Sequence, residues 1–323
     1  MEPHVPVMEA EVLDIVSDHI SGEEAGCFLD ATLGGGGHSA AILEKFGNLT
    51  IVAFDRDGAA RETAAEKLGK YGGRARIVAA NFAEIGERAA ELAQLTENRR
   101  IVGVLFDLGL SNMQLTTPER GFSFQEDGPL DMRMDAGEDV PTASDILRES
   151  DARELTGIFR DYGEERHAFR IANAIVRSRN EGYLPRTTGE LAAFIRRVLP
   201  APVQRKMGGH PARRIFQALR IAVNSELGAI DAGLRGALEI TGDGGVIIVI
   251  AYHSLEDRIV KRLFRDWAGG MGKLTTRRPM RPSNDEVEGN RKSRSAKLRA
   301  FTVRRNTDLI NSQASGNIRG VLR

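Results

Sequence analysis

Four places in this 323-residue chain join a chemically capable side chain to a point where the backbone turns. They are the run Gly34-Gly35-Gly36-Gly37-His38, the acids Asp55 and Asp107, and His253. Each follows a short apolar stretch. Consecutive glycines let a backbone turn sharply and approach a ligand closely. The free N–H groups of a helix that follows such a turn face whatever sits on it, so the turn suits a nucleotide-like cofactor. No Gly-Lys-Ser/Thr follows, which excludes a phosphate-gripping P-loop. Ser39 stands where a dinucleotide motif needs its third glycine, which argues against a nicotinamide-dependent dehydrogenase. Asp55, ~20 residues beyond the glycine turn, is where such folds hold the two hydroxyls of a ribose. Asp107 brings a carboxylate, an acceptor of hydrogen bonds from amino groups, to the end of a further apolar run.

These side chains need a scaffold that brings them together. Apolar runs at 28–30, 50–54, 75–80 and 100–106 alternate with helical patterns at 40–46, 58–70 and 85–95. That alternation predicts an α/β fold, a parallel sheet with helices on both faces. Ligands bind such sheets at the carboxyl ends of the strands. Gly35, Gly36, Gly37, His38, Asp55, Phe82 and Asp107 are therefore expected in one crevice. After Asn112 the rhythm stops. Residues 116–141 are rich in glycine, proline and charge, and 142–180 is helical in pattern. Further helices are expected over 187–199 and, as one long element, from Pro211 to about Ile240. A strand at 244–250 resumes the sheet, with last strands near 274–280 and 296–303. The expected organisation is a core in two parts, 1–115 and 214–323, around a helical insert at 116–213. Such an insert far exceeds the ~2–6 residues of an ordinary βα loop.

Composition narrows the class. Hydrophobic residues make up 41% of the chain, ample for a packed interior. Its single cysteine, Cys27, allows no intrachain disulfide and suits a reducing cytoplasm. No secretory signal pattern opens the sequence, and the longest apolar run is far short of the ~20 residues of a membrane span. Histidines are scattered and no CxxC occurs, so no metal is expected. Forty-five basic residues balance 45 acidic ones, which counts against general coating of nucleic acid. Basic residues nevertheless crowd between Lys273 and Arg305, and such a stretch can neutralise phosphates locally.

A set of strings narrows the match further. His4-x-Pro-Val-Met8, Gly36-Gly-His-Ser39, Asp107-Leu-Gly-x-Ser111, Arg120-Gly-Phe-Ser-Phe124, Asp127-Gly-Pro-Leu-Asp-Met-Arg-Met134, Tyr162-Gly-Glu-Glu-Arg166, Phe216-Gln-Ala-Leu-Arg-Ile221 and His253-Ser-Leu-Glu-Asp-Arg-Ile-Val-Lys261 occur in this order. Together they closely resemble the RsmH (MraW) family, from residue 4 to about 303. The resemblance implies a Rossmann-like S-adenosylmethionine-dependent methyltransferase sheet with an inserted substrate-recognition domain. It also implies methylation of the N4 amino group of a decoding-region cytidine in 16S ribosomal RNA, within the small ribosomal subunit. Methionine of the cofactor would lie near Gly36 to His38, adenine along Phe82, and Gln114 would add a polar contact.

Asp107 is the first candidate for the chemistry, as acceptor of a hydrogen bond from the cytosine amine; His253 and Asn112 come next. The resemblance to an RNA-acting family makes Arg291, Lys292 and Arg294 candidate phosphate contacts. A flipped base needs a stacking partner, and Phe122, Phe124, Tyr252 and His253 are candidates. Tyr252 stands where the family usually has Phe. Ser254 and Asp257 form a capping-box pattern for the next helix. Two alternatives remain: a DNA amino-methyltransferase, although Asp107-Leu108-Gly109-Leu110 lacks the two prolines and the aromatic residue common there, and a noncatalytic RNA-binding assembly protein.

Overall fold

The computed structural model describes residues 6–20, 25–137 and 139–305; His4 lies outside them. Two compact units are present, Met1–Gly109 with Ala229–Arg323, and Leu110–Gly228.

The first unit opens with α1 (Glu9–His19), β1 (Gly26–Asp30), α2 (Gly37–Lys45), β2 (Leu49–Asp55), α3 (Gly58–Leu68), β3 (Ala75–Ala79), α4 (Ala89–Leu95) and β4 (Ile101–Asp107). The second contains α5 (Asn112–Thr116), α6 (Ala143–Glu149), α7 (Ala152–Asp161), α8 (Ala168–Asn180), α9 (Thr188–Val198), α10 (Ala201–Lys206) and α11 (Arg213–Asn224). Helix α12 (Glu226–Ile240) carries the chain back to the first unit, which ends with β5 (Val246–Ala251), α13 (Ser254–Trp267), β6 (Gly272–Leu274), α14 (Asn284–Gly289) and β7 (Lys297–Val303).

All seven strands form one sheet in the order β3-β2-β1-β4-β5-β7-β6. The first five run parallel, and β7 lies antiparallel between β5 and β6. Strand β5, Val-Ile-Ile-Val-Ile-Ala, is buried along its whole length, and β4 is buried up to Asp107. β-Branched residues without polar alternation are what a strand covered on both faces requires. Phe28, Ile51, Leu105, Ile248 and Leu298 share the core of this unit. The strand order reverses between β1 and β4, and a crevice opens at the carboxyl ends of strands at such a point.

Leu155, Phe159, Ile171, Ile195 and Leu219 lead a separate core in the second unit. Leu110 and Leu115 pack against that core, and α11 packs on α6 and α7. The unit therefore reaches beyond the 116–213 expected from composition. The helical stretch 142–180 is three helices, the first two started by capping boxes at Thr142 and Asp151.

The single long helix expected from Pro211 is two. Ser225 adopts a left-handed conformation, φ 50°, between α11 and α12. The apolar period runs on through the break, which therefore leaves no trace in the pattern. Polar contacts hold it. Arg220 grips Glu226 through two bonds of 2.8 and 2.9 Å. The Asn224 amide donates to the carbonyls of Met132 and Arg220 and accepts from the Met134 N–H, each at 2.8 Å. The expected strand at 274–280 is also shorter, ending at Leu274. Beyond it, Thr275 and Thr276 still donate to Ala300 O, and Met280 bridges to Leu298; Pro279 supplies no N–H to continue the ladder.

Asn224→Ala removes three hydrogen bonds, two to the carbonyls of Met132 and Arg220 and one from the Met134 N–H. The expected loss is about 2–3 kcal/mol, measured as a lower urea midpoint; an unchanged midpoint would show that the Asn224 bonds do not hold the break.

Candidate active site

The site is built where β1, β2, β4 and β5 end. Ala31 N–H donates to Leu105 O (2.8 Å) and Leu33 N–H to Phe54 O (2.9 Å), so the chain leaving β1 is fastened to both neighbours. Between them, Thr32 Oγ1 accepts from the Asp107 N–H at 2.6 Å. The glycine turn follows. Gly36 has φ 72° and precedes α2, and a Cβ there would lie 3.2 Å from Ala64 Cβ. Both the dihedral angle and the packing call for glycine.

Asp55, at the end of β2, accepts from Gly34 N–H on Oδ2 and from Asp57 N–H on Oδ1, both at 2.8 Å. Burial raises its pKa, and these two N–H groups oppose the rise. Asp57 in turn caps α3 through the Ala59 N–H. The glycine turn and the second strand end are thus one hydrogen-bonded unit.

His38 occupies the first turn of α2, with its side chain 7% exposed. Its Nε2 lies 3.5 Å from Asp107 Oδ2, within ion-pair range but outside hydrogen-bond geometry. Neither ring nitrogen has a hydrogen-bond partner among the described residues. Burial opposes protonation of the ring, but the carboxylates of Asp107 and Asp30 outweigh it, and the pKa is raised. Asp30 is itself buried, which raises its pKa, and it accepts from Ser39 Oγ at 2.6 Å.

The other Asp107 oxygen is held by a residue 145 positions away: Tyr252 donates its phenol to Oδ1 at 2.7 Å. Burial, then the charge and bond of Asp107, push the Tyr252 pKa well above the ordinary phenol value, so the group stays a donor. Gly109 makes room for the ring. It has φ 106°, and a Cβ there would sit 3.1 Å from Tyr252 Cδ2. Asp107 retains 24% side-chain exposure and so presents an open edge.

His253 follows at the carboxyl end of β5, but as the cap of α13. Its Nδ1 accepts from Glu256 N–H at 3.4 Å, and Nε2 lies 3.2 Å from Glu256 Oε1. Glu256 completes the box by accepting from the N–H groups of Tyr252 and His253. The capping pair is therefore His253 with Glu256, one register away from the expected Ser254 with Asp257. Asp257 instead pairs with Lys297 and Arg299. A ring engaged in this way has structural work, which sets His253 behind Asp107 as a chemical group.

Phe82 begins a short turn beyond β3, capped by Asn81, and stands edge-on to Phe106 at 5.7 Å. Asn112 and Gln114 belong to the second unit, in α5. There the Gln114 side chain accepts from Ser111 N–H in a capping box. Of the stacking candidates, Phe122 is buried in the second unit's core, and Phe124 packs between His210 and Phe216 at 4.7 and 4.8 Å. Tyr252 is spent on Asp107. Arg291 and Arg294 are exposed. The Lys292 ammonium, in contrast, is buried without a hydrogen-bond partner among the described residues, and burial lowers its pKa. It is not offered to a phosphate at the surface, which corrects that expectation.

S-Adenosylmethionine fits these residues. Asp55 has a half-buried carboxylate, the kind of acceptor that ribose hydroxyls require. His38 carries ring nitrogens with unused hydrogen-bonding capacity. A Cβ at Gly35 would meet nothing within 4 Å, so the turn has a bare backbone to present.

A seven-stranded sheet of this order, with a glycine turn after the first strand and acids ending the second and fourth, defines an S-adenosylmethionine-dependent methyltransferase. The chain belongs to the MraW methylase family, which it matches over residues 1–304. It is 45% identical over 314 residues to ribosomal RNA small subunit methyltransferase H of Heliobacterium modesticaldum, spanning 92% of this chain and 97% of that protein. It is 43% identical to the protein of the same name from Carboxydothermus hydrogenoformans, over 92% and 96% of the two chains.

The raised His38 pKa links stability to pH. Its ion pair with Asp107 contributes fully below the ordinary imidazole value, ~6.5, and is lost as pH rises through the higher folded-state value. The gap in urea midpoint between wild type and His38→Gln is expected to be wider at pH 6 than at pH 9. A gap that stays constant would mean that the ion pair contributes nothing.

Proposed function

We propose that this protein transfers the methyl group of S-adenosylmethionine to the N4 amino group of a cytidine in 16S ribosomal RNA. The substrate would be the RNA within the small ribosomal subunit, in the cytoplasm. The observation that carries this proposal is the Asp107 carboxylate, hydrogen-bonded on one side by Tyr252 and flanked on the other by His38, with an open edge at the carboxyl end of β4. The names of the relatives support the RNA substrate. Among the described residues no helix is long and apolar enough to cross a membrane.

The lone pair of a cytosine amine is delocalised into the ring, so the amine is a poor nucleophile. When bound, the cofactor supplies an electrophilic methyl group on a sulfonium. The chain's residues supply position. Asp55 accepts from the ribose hydroxyls, with the Gly34 amide holding the carboxylate in place. Asp107 accepts a hydrogen bond from the amine, which both anchors the nitrogen and returns electron density to it. Orientation of this kind contributes up to ~7–11 kcal/mol. Tyr252 bonds to the Asp107 carboxylate and keeps it from turning, and the His38 ring lies within ion-pair range of its other oxygen. Water can take the proton released, so Asp107 need not act as a base. Exposed Arg291 and Arg294 suit phosphate contact, and the resulting affinity would fall with salt.

Asp107→Asn keeps the size of the side chain but adds donors that oppose the amine's hydrogens. Single-turnover methyl transfer to small ribosomal subunits, at saturating cofactor and substrate, is expected to fall by two orders of magnitude or more, on the order of 3 kcal/mol, with the fold retained. A wild-type rate would remove Asp107 from the chemistry. Faster labelling of duplex DNA than of subunits would favour the DNA enzyme instead.

Asp55→Ala removes a charged acceptor worth ~1.5–3 kcal/mol. Calorimetry should show cofactor affinity lower by roughly 10- to 150-fold. Unchanged affinity would place the ribose elsewhere.

A further inference from the structure

A cavity of about 240 Å³ opens on the first unit between α13 and the strands β6 and β7. Lys261, Arg265, Arg277 and Arg299 line it, over an apolar floor of Phe264 and Leu274. The four cations differ. Arg299 is nearly buried and is neutralised by Asp257, which also takes Lys297. Lys261, Arg265 and Arg277 are exposed, and their side chains make no hydrogen bond or ion pair with any described residue.

Helix geometry explains why these charges are unmatched. Lys261 and Arg265 are four residues apart and share a face. Arg262 and Asp266 share the next face, where Arg262 pairs with Asp231 and Asp266 acts on Arg235. The acids around α13 are thus spent on its other face or on β7. Thr276, at the cavity wall, accepts from Ala300 N–H at 3.0 Å, which leaves its own hydroxyl hydrogen to donate. Three unmatched cations and a hydroxyl donor around a walled hollow are the complement of an anion with several acceptor oxygens.

We infer that this cavity is an RNA phosphodiester site, a second anchor that seats the substrate strand away from the reacting base. The inference rests on the RNA substrate proposed above. Lys261 closes the string that begins at His253, and it lies about 12 Å along α13 from the cap at the end of β5. A strand whose base sits at the end of β4 would pass the ends of β5 and β7 and turn down the edge of the sheet, where the cavity lies between α13 and β6. The shallow apolar floor suits the sugar face of the backbone, and the cations suit its phosphates.

The test is Lys261→Gln/Arg265→Gln/Arg277→Gln, with small ribosomal subunits from cells lacking the protein as the probe. Binding is read across a salt series, together with kcat, KM and cofactor affinity. Affinity for subunits is expected to fall by roughly tenfold or more, and the slope of log affinity against log salt to become shallower by about 2. KM should rise while kcat and cofactor affinity hold. The charge-keeping variant Lys261→Arg/Arg265→Lys/Arg277→Lys should bind as wild type does. If the wild type methylates the subunits and the glutamine variant matches it in affinity and slope, the cavity is overturned and the RNA substrate stands. Equal loss in the charge-keeping variant also overturns the site, because charge is then not what binds. A wild type that neither binds nor methylates subunits overturns the substrate, and the cavity with it. All three positions are exposed, and the single variant Lys261→Gln repeats the slope measurement should the triple variant fail to fold.

Discussion

The 2.6 Å hydrogen bond from the Asp107 amide to Thr32 Oγ1 fixes the end of β4 to the chain leaving β1. The site depends on it. Those two strands lie side by side at the point where the strand order reverses, and the bond sets how far apart their ends stand. The glycine turn continues from the same loop, and it bonds to Asp55 at the end of β2. One short segment, from Ala31 to Gly37, therefore sets three strand ends in register. A parallel sheet makes this possible, because its strands all finish on one edge.

Such an arrangement gathers negative charge. Burial disfavours ionisation of Asp30, and the charge of Asp107 adds to the effect. His38 acts electrostatically on both, and Tyr252 gives its phenol to Asp107. Buried carboxylates persist only when paired or hydrogen-bonded; the Ser39 hydroxyl and the Thr32 N–H meet that need at Asp30, and the phenol of Tyr252 bonds Asp107 with the His38 imidazole beside it. Charge is handled in the opposite way on α13. There cations outnumber the acids that face them, and the protein remains neutral overall because its 45 basic residues are balanced by 45 acidic ones. A chain with balanced charge can still present a local positive field.

The strand ends were legible in the sequence because each couples an apolar run to a single acid or a cluster of glycines. Asp55, Asp107 and the turn at Gly34–Gly37 lie where those runs stop. Three features escaped. The break at Ser225 interrupts no hydrophobic period, and its cause lies in Asn224, which bonds to Met132 and Met134 far off in sequence, and in Arg220, which bonds to Glu226 across the break. The Tyr252 contact joins positions 145 apart, and no local pattern encodes it. The cap at His253 lies one residue before Ser254, the commoner cap type, and histidine fills the role here only through its pairing with Glu256. Lys292 shows the limit of counting charges. Its neighbours Arg291 and Arg294 reach solvent, while its own ammonium is enclosed.

The discontinuity of the first unit has a consequence for how the chain matures during synthesis. β4 and β5 are neighbours in the sheet, pairing Gly103 with Val246, yet the whole second unit is made between them. That unit has its own core, so it can collapse while the sheet still ends at β4. Once folded, it replaces a long flexible loop by a compact body, and joining β5 to β4 then costs less closure entropy. Non-local pairing of this kind is slow compared with helix packing. Tyr252 leaves the translating ribosome only after β5, so the carboxylate at the end of β4 waits for its second holder until most of the polypeptide exists. A nascent chain stopped anywhere within the second unit would carry the glycine turn and Asp107 but not the phenol that fixes Asp107 in place.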